Sequence, residues 1–165
     1  MIRLLLALSV ILSSITANAG SLTEANMDWL TQYPEQVQES LSNADSPNFI
    51  PNLNTILALW QHRDGGITGE VSPYLVQGII TAPDLVLGAL EAYPESYSRW
   101  LKQLSGQVFT AIDPAQVEPL NQMKLALESA LASYIILPDA SHTESAKRLL
   151  EQVQATTVYM LDRSL

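Results

Sequence analysis

The sequence predicts an all-α fold: seven or eight mostly short helices packed as proline-cornered antiparallel pairs, in an irregular helical bundle or a short helical-repeat-like stack. Three observations carry this. Apolar residues recur at steps of three and four along most of the chain, which is the spacing of one helix face. No segment sustains the two-residue alternation of valine, isoleucine and threonine that a strand needs. The breaks are marked by proline, which lacks the N–H required inside a helix but fits its first turn.

The chain opens with an export signal. Met1-Ile2-Arg3 is a short basic stretch, Leu4 to Ile15 is an apolar run broken by serines, and Ala17-Asn18-Ala19 is a small-x-small cleavage site. The run is shorter than the ~20 apolar residues that span a bilayer. Residues 1–19 therefore read as a signal peptide and 20–165 as one helical domain, delivered to a periplasm or secreted, without stable membrane insertion after cleavage.

Each later element has its own signals. Ser21-Leu22-Thr23-Glu24 matches a capping box, with a hydroxyl at the cap and a carboxylate three residues on, and opens a helix to about Gln32. Pro34 starts a second helix with Val37 and Leu41 on its apolar face, and Ser42 to Pro51 reads as a loop. A third helix runs from near Pro51 through Ile56, Leu57, Leu59 and Trp60 to His62-Arg63, with Asp64-Gly65-Gly66 as its stop and Ile67 to Val71 as a linker. Ser72-Pro73 reads as the cap and first residue of a fourth. Pro83 and Pro94 begin the next two, and Ser105-Gly106 closes or kinks the second of these. Asp113-Pro114 precedes a long amphipathic helix through Leu120, Met123, Leu127, Leu131 and Tyr134. Ser141-His142-Thr143-Glu144 is a second capping box, opening a last helix that carries Leu149, Val153, Met160 and Leu161 on one side. Tyr33-Pro34-Glu35 and Tyr93-Pro94-Glu95 repeat at an offset of 60 residues, which reads first as one good corner used twice.

The composition narrows the chemistry. Aspartate and glutamate number 17 against 8 lysines and arginines, a net charge of −9, which disfavours nucleic acid and anionic lipid as partners. With no cysteine, disulfides and thiolate chemistry are excluded. No nucleophile elbow, phosphate loop or dinucleotide fingerprint is present, so no catalytic residue, metal ligand or cofactor is assigned. His142 reads as an exposed first-turn residue, the pairs Glu35/Glu39 and Glu91/Glu95 as solvated faces, and Gly78 and Gly88 as points of close helix approach. Trp29, Trp60 and Trp100 lie in apolar stripes, where core packing is the default.

What remains is a binding reading. Trp60, His62, Arg63, Asp64 and Glu70 surround a glycine-rich segment and form the expected partner-binding face. The acidic balance fits a basic protein partner approached by electrostatic steering, as an inhibitor or immunity-type protein would use. Two other classes compete: a cell-wall or glycan hydrolase with Glu70 as acid and Asp64 as its partner, and an envelope-assembly helper with an apolar groove.

Overall fold

The structure is a computed structural model that describes residues 22–62 and 65–161. The expected export signal and the expected Ser21 cap, together with Arg63 and Asp64, lie outside the described residues. The fold is all-α, with eight α-helices and two very short strands among the described residues.

Helix α1 covers residues 22–32 and meets α2 (Pro34–Leu41) at a single-residue corner. Pro34 sits in the first turn of α2, and Tyr33 supplies the first carbonyl, accepting from the Val37 amide at 3.1 Å. Helix α5 (Pro83–Glu91) joins α6 (Pro94–Gln103) through the same device, with Tyr93 accepting from the Tyr97 amide at 2.9 Å. The Tyr-Pro-Glu echo is thus one corner geometry used twice.

Helix α3 (Phe49–Gln61) starts two residues before Pro51. Proline is tolerated there because the amides of a first turn have no helical acceptor to lose. Asn52 Nδ2 donates to Ser40 Oγ at 2.5 Å and ties α3 to α2.

Helix α4 (Gly65–Thr81) corrects the expected stop at Gly65-Gly66, the linker Ile67–Val71 and the cap at Ser72: all lie in one 17-residue helix with Pro73 inside it. No glycine among the described residues has positive φ, so Gly65 and Gly66 begin a helix here and do not cap one. The reason Pro73 is accommodated is tertiary. Val71, Leu75 and Ile79, at steps of four, are all fully buried along with Val76, so packing outweighs the lost backbone bond. Helix α4 is the hub, in contact with α2, α3, α5 and α7. Gly78 lets α5 approach, since a Cβ there would lie 3.4 Å from Val86 Cγ2.

After α6 the chain widens into a π turn (Leu104–Val108), with the Phe109 amide donating to the Leu104 carbonyl at 3.0 Å. That is the kink expected at Ser105-Gly106. Strand β1 (Thr110–Ala111) follows, then a 3-10 turn (Pro114–Gln116) capped by Asp113, whose carboxylate accepts from the Ala115 amide at 2.8 Å. Helix α7 (Val117–Ile135) pairs with α8 (Thr143–Gln154). Helix α8 ends before Met160 and Leu161, which corrects their assignment to its stripe. Residues 159–160 form β2 (Tyr159–Met160), parallel to β1 with Thr110 opposite Tyr159 and Ala111 opposite Met160.

One apolar core takes residues from every α-helix, from Leu30 in α1 to Val153 in α8. Its largest fully buried side chains are Trp60, Trp100, Phe49 and Phe109.

Candidate functional site

Two regions gather side chains of chemical interest. The first is an apolar groove of about 690 Å³. The first turns of α4 give one wall through Gly69, Glu70 and Pro73, and the π turn adds Gly106, Gln107 and Val108. The strands contribute Thr110, Ile112, Tyr159 and Leu161, and the start of α7 contributes Pro119, Leu120 and Met123. Residues 110, 112, 159 and 161 share one face of the two-stranded sheet by the period-two rule, while Ala111 points the other way and is fully buried. Ile112, Tyr159 and Leu161 leave 43–50% of their surface exposed at the groove, and Met160, on the other face of β2, is 48% exposed.

Two acceptors stand out in this groove, beside the hydroxyls of Thr110 and Tyr159 and the amide of Gln116. Glu70 is the charged residue on its lining. Gln107 Oε1 is buried with no hydrogen-bond partner among the described residues. Pro73 has no N–H to give the Gly69 carbonyl, its helical acceptor. The charge of Glu70 also reaches Tyr74 one turn on, whose hydroxyl is held above the ordinary tyrosine value by burial first and by this carboxylate second.

The second region is a chain of hydrogen bonds joining α5, α6, α7 and α8. Tyr134 donates to Asp84 Oδ1 at 2.5 Å and accepts from the His142 amide at 2.9 Å. Asp84 Oδ1 also accepts from the Ser141 amide at 3.2 Å. His142 Nδ1 lies 2.7 Å from Glu91 Oε2, and Ser145 Oγ donates to Glu91 Oε1 at 2.5 Å. Tyr97 closes the chain by donating to the Ser145 carbonyl at 3.0 Å.

This arrangement corrects the second capping box. The N-cap of α8 is His142, without a side-chain cap bond, and Glu144 turns outward to Lys147 at 2.7 Å. The Ser141 and His142 amides that lead into the helix donate to Asp84 of α5 and Tyr134 of α7. It also corrects the exposed reading of His142, which is half-buried against Gly88; Glu91 stays exposed as expected while its carboxylate also binds α8. Ser145, His142 and Glu91 do not form a nucleophile relay. In such a relay the serine proton passes to the imidazole, whereas here the Ser145 hydroxyl is engaged by the carboxylate. The network is a latch.

The latch has a pH signature. The Tyr134 hydroxyl, then the Ser141 amide, hold the Asp84 carboxyl below its ordinary value of 3.8, partly opposed by burial. The Ser145 hydroxyl, then the His142 ring, hold Glu91 below its ordinary 4.5, again against burial. Groups lowered in the folded chain add stability that is complete above the ordinary values and is lost as pH falls through the folded ones. Melting of the native protein is therefore expected to fall between roughly pH 5 and pH 2 more steeply than that of an Asp84→Asn/Glu91→Gln double variant, which starts less stable at neutral pH. Equal slopes for the two proteins in a thermal-denaturation pH series would contradict the latch.

Of the five residues expected on a partner-binding face, Trp60 is in the core and offers no surface in this fold. His62 caps the end of α3 and is exposed, and Glu70 lines the groove. The groove residues that sequence reasoning missed come from the π turn, β2 and the start of α7. Their one readable signal was an exposed apolar run, Tyr159-Met160-Leu161, beyond the last good helical repeat. No helix among the described residues is long and apolar enough to cross a membrane. Comparison with protein-family models, with curated proteins and with solved structures gives no match to this chain.

Proposed function

We propose that this chain is an exported, non-enzymatic protein-binding module, and that the groove between α4, the π turn, the strands and α7 receives an apolar segment of a basic partner protein. The observation that carries the reading is the groove itself: about 690 Å³ with apolar walls, and Glu70 as its charged lining residue. Such a site rewards burial of apolar side chains at ~25 cal/mol per Å² and favours one cation beside them. The net charge of −9 acts in the same direction, raising the encounter rate with a basic partner. An inhibitor or immunity-type protein is the finer form of this role.

Gly106 supplies a clean test. It lines the groove, its φ is not positive, and a Cβ placed on it meets nothing within 4 Å. Gly106→Leu therefore adds apolar bulk at the groove wall, with a first side-chain atom that meets no neighbour. The probes are a labelled peptide of alternating valine and threonine with one central lysine, and the same peptide with glutamate in its place. The lysine peptide is expected to bind in fluorescence anisotropy, the glutamate peptide about tenfold or more weakly. Gly106→Leu is expected to abolish binding with its melting temperature unchanged or raised. Absence of binding to the native protein, or undiminished binding to Gly106→Leu, would overturn the reading.

A further inference from the structure

We propose that the partner segment lies extended in this groove as a third strand added to the open edge of β2, with a lysine or arginine set against Glu70 and Gln107. The inference rests on the groove being a protein-binding surface and adds how the partner is held.

The geometry starts from the strand pairing. The Tyr159 amide donates to the Phe109 carbonyl at 3.2 Å, and the Leu161 amide to the Ala111 carbonyl at 2.8 Å. Residues 159 and 161 thus spend their backbone groups on β1. Because a strand turns successive amides to opposite sides, Met160 presents its N–H and C=O away from β1. Met160 is 48% exposed, and its neighbours Tyr159 and Leu161 are 45% and 43% exposed. Strand β1 packs against the π turn and α7, and Thr110, whose backbone groups face away from β2, is half-buried. Among the described residues the more exposed edge is therefore that of β2, the strand whose alternate side chains line the groove.

An unpaired edge beside an apolar hollow is the recognition geometry of strand addition. Backbone bonds supply affinity, and pockets for every second side chain supply selectivity. An added strand would continue the face made by Thr110, Ile112, Tyr159 and Leu161. An acyl chain filling the same volume would leave the Met160 backbone groups unused, which favours a peptide.

The acceptors place the cation. The Gln107 Oε1 acceptor is buried without a partner among the described residues, and Glu70 lines the same groove from α4. Helix α4 packs against the π turn at this point, where a Cβ on Gly69 would sit in ordinary contact, 3.9 Å from the Gln107 carbonyl. An ammonium or guanidinium offers several donors and no acceptor, which complements this pair.

The experiment uses backbone N-methylation of the valine–threonine–lysine peptide on alternate residues, in two complementary patterns. Only one set of amides faces β2, so one pattern is expected to abolish binding and the other to retain it. Met160→Pro removes the edge N–H and spares the donors bonded to β1, and is expected to weaken binding tenfold or more with the melting temperature unchanged. Equal binding of both N-methylated peptides, full binding by Met160→Pro, or competitive displacement of the peptide by palmitate would overturn strand addition. In each of those cases sensitivity to Gly106→Leu would leave the groove reading standing. No binding of any peptide to the native protein would remove both.

Discussion

Replacing Trp100 with alanine is expected to cost about 3–5 kcal/mol, the usual toll of emptying a large aromatic site in a packed core. Trp100 is fully buried, stacks on Tyr97 with ring centroids 6.4 Å apart, and donates from Nε1 to Ser72 Oγ at 2.9 Å. That hydrogen bond crosses from α6 to the hub helix α4, and Ser72 is itself fully buried. Against a total stability of ~5–15 kcal/mol the loss is a large fraction, and the melting midpoint is expected to fall by about 10 °C or more. The polar half of the site can be separated from the packing half. Ser72→Ala leaves a buried indole N–H without an acceptor and is expected to cost about 1–3 kcal/mol. Trp100→Phe removes that donor, so adding Ser72→Ala to it is expected to cost much less than Ser72→Ala alone. Urea denaturation of the native chain, both single variants and the double variant measures the coupling. Strict additivity would show that the indole bond contributes nothing.

The same serine marks where the sequence misleads. Ser72-Pro73 has the chemistry of a helix start, and Gly65-Gly66 that of a helix stop. Both local signals yield to a longer one, the stripe Val71, Leu75, Ile79 that runs through Pro73 at steps of four without a break. Proline costs one backbone bond and some steric strain, whereas the buried stripe and the Ser72–Trp100 bond act together across three elements. Where the corner prolines coincide with a break in the stripe, as at Pro34, Pro83 and Pro94, the reading and the structure agree.

The candidate site was less legible for a related reason. Glu70 was reached through its glycine-rich neighbourhood, but the groove it lines is assembled from α4, the π turn, both strands and the start of α7. Pairing of Thr110 with Tyr159 spans most of the second half of the chain, and two-residue strands carry no periodicity to announce them. Trp60 shows the converse. Its stripe neighbours Ile56, Leu57 and Leu59 are buried too, so its helical spacing already favoured the core over a binding face.

Gly88 offers the sharper test of a residue whose role only the fold reveals. A Cβ added there would lie 2.7 Å from His142 Nε2 and 3.2 Å from its Cε1, closer than packed atoms tolerate. Gly88→Ala must therefore push the imidazole off α5, and His142 Nδ1 then loses Glu91. Alanine inside a helix is otherwise better than glycine by roughly 0.5–1 kcal/mol. The obstacle is the far end of a part-exposed side chain that can swing aside, so the cost is its lost packing and the Glu91 contact, about 1–2 kcal/mol, and the net effect in the native background is expected to be a loss of up to about 1 kcal/mol. In a His142→Ala background the obstacle is gone, and the same substitution is expected to stabilise by about 0.5–1 kcal/mol. The effect of one methyl group thus changes sign with the residue 54 positions away. A four-protein denaturation cycle reads this directly. If Gly88→Ala has the same effect in both backgrounds, the imidazole does not rest on that glycine and the latch between α5 and α8 is drawn wrongly. If the sign inverts, the close approach of α5 and α8 depends on a missing side chain at Gly88, and the hydrogen bond from His142 to Glu91 is what that gap admits.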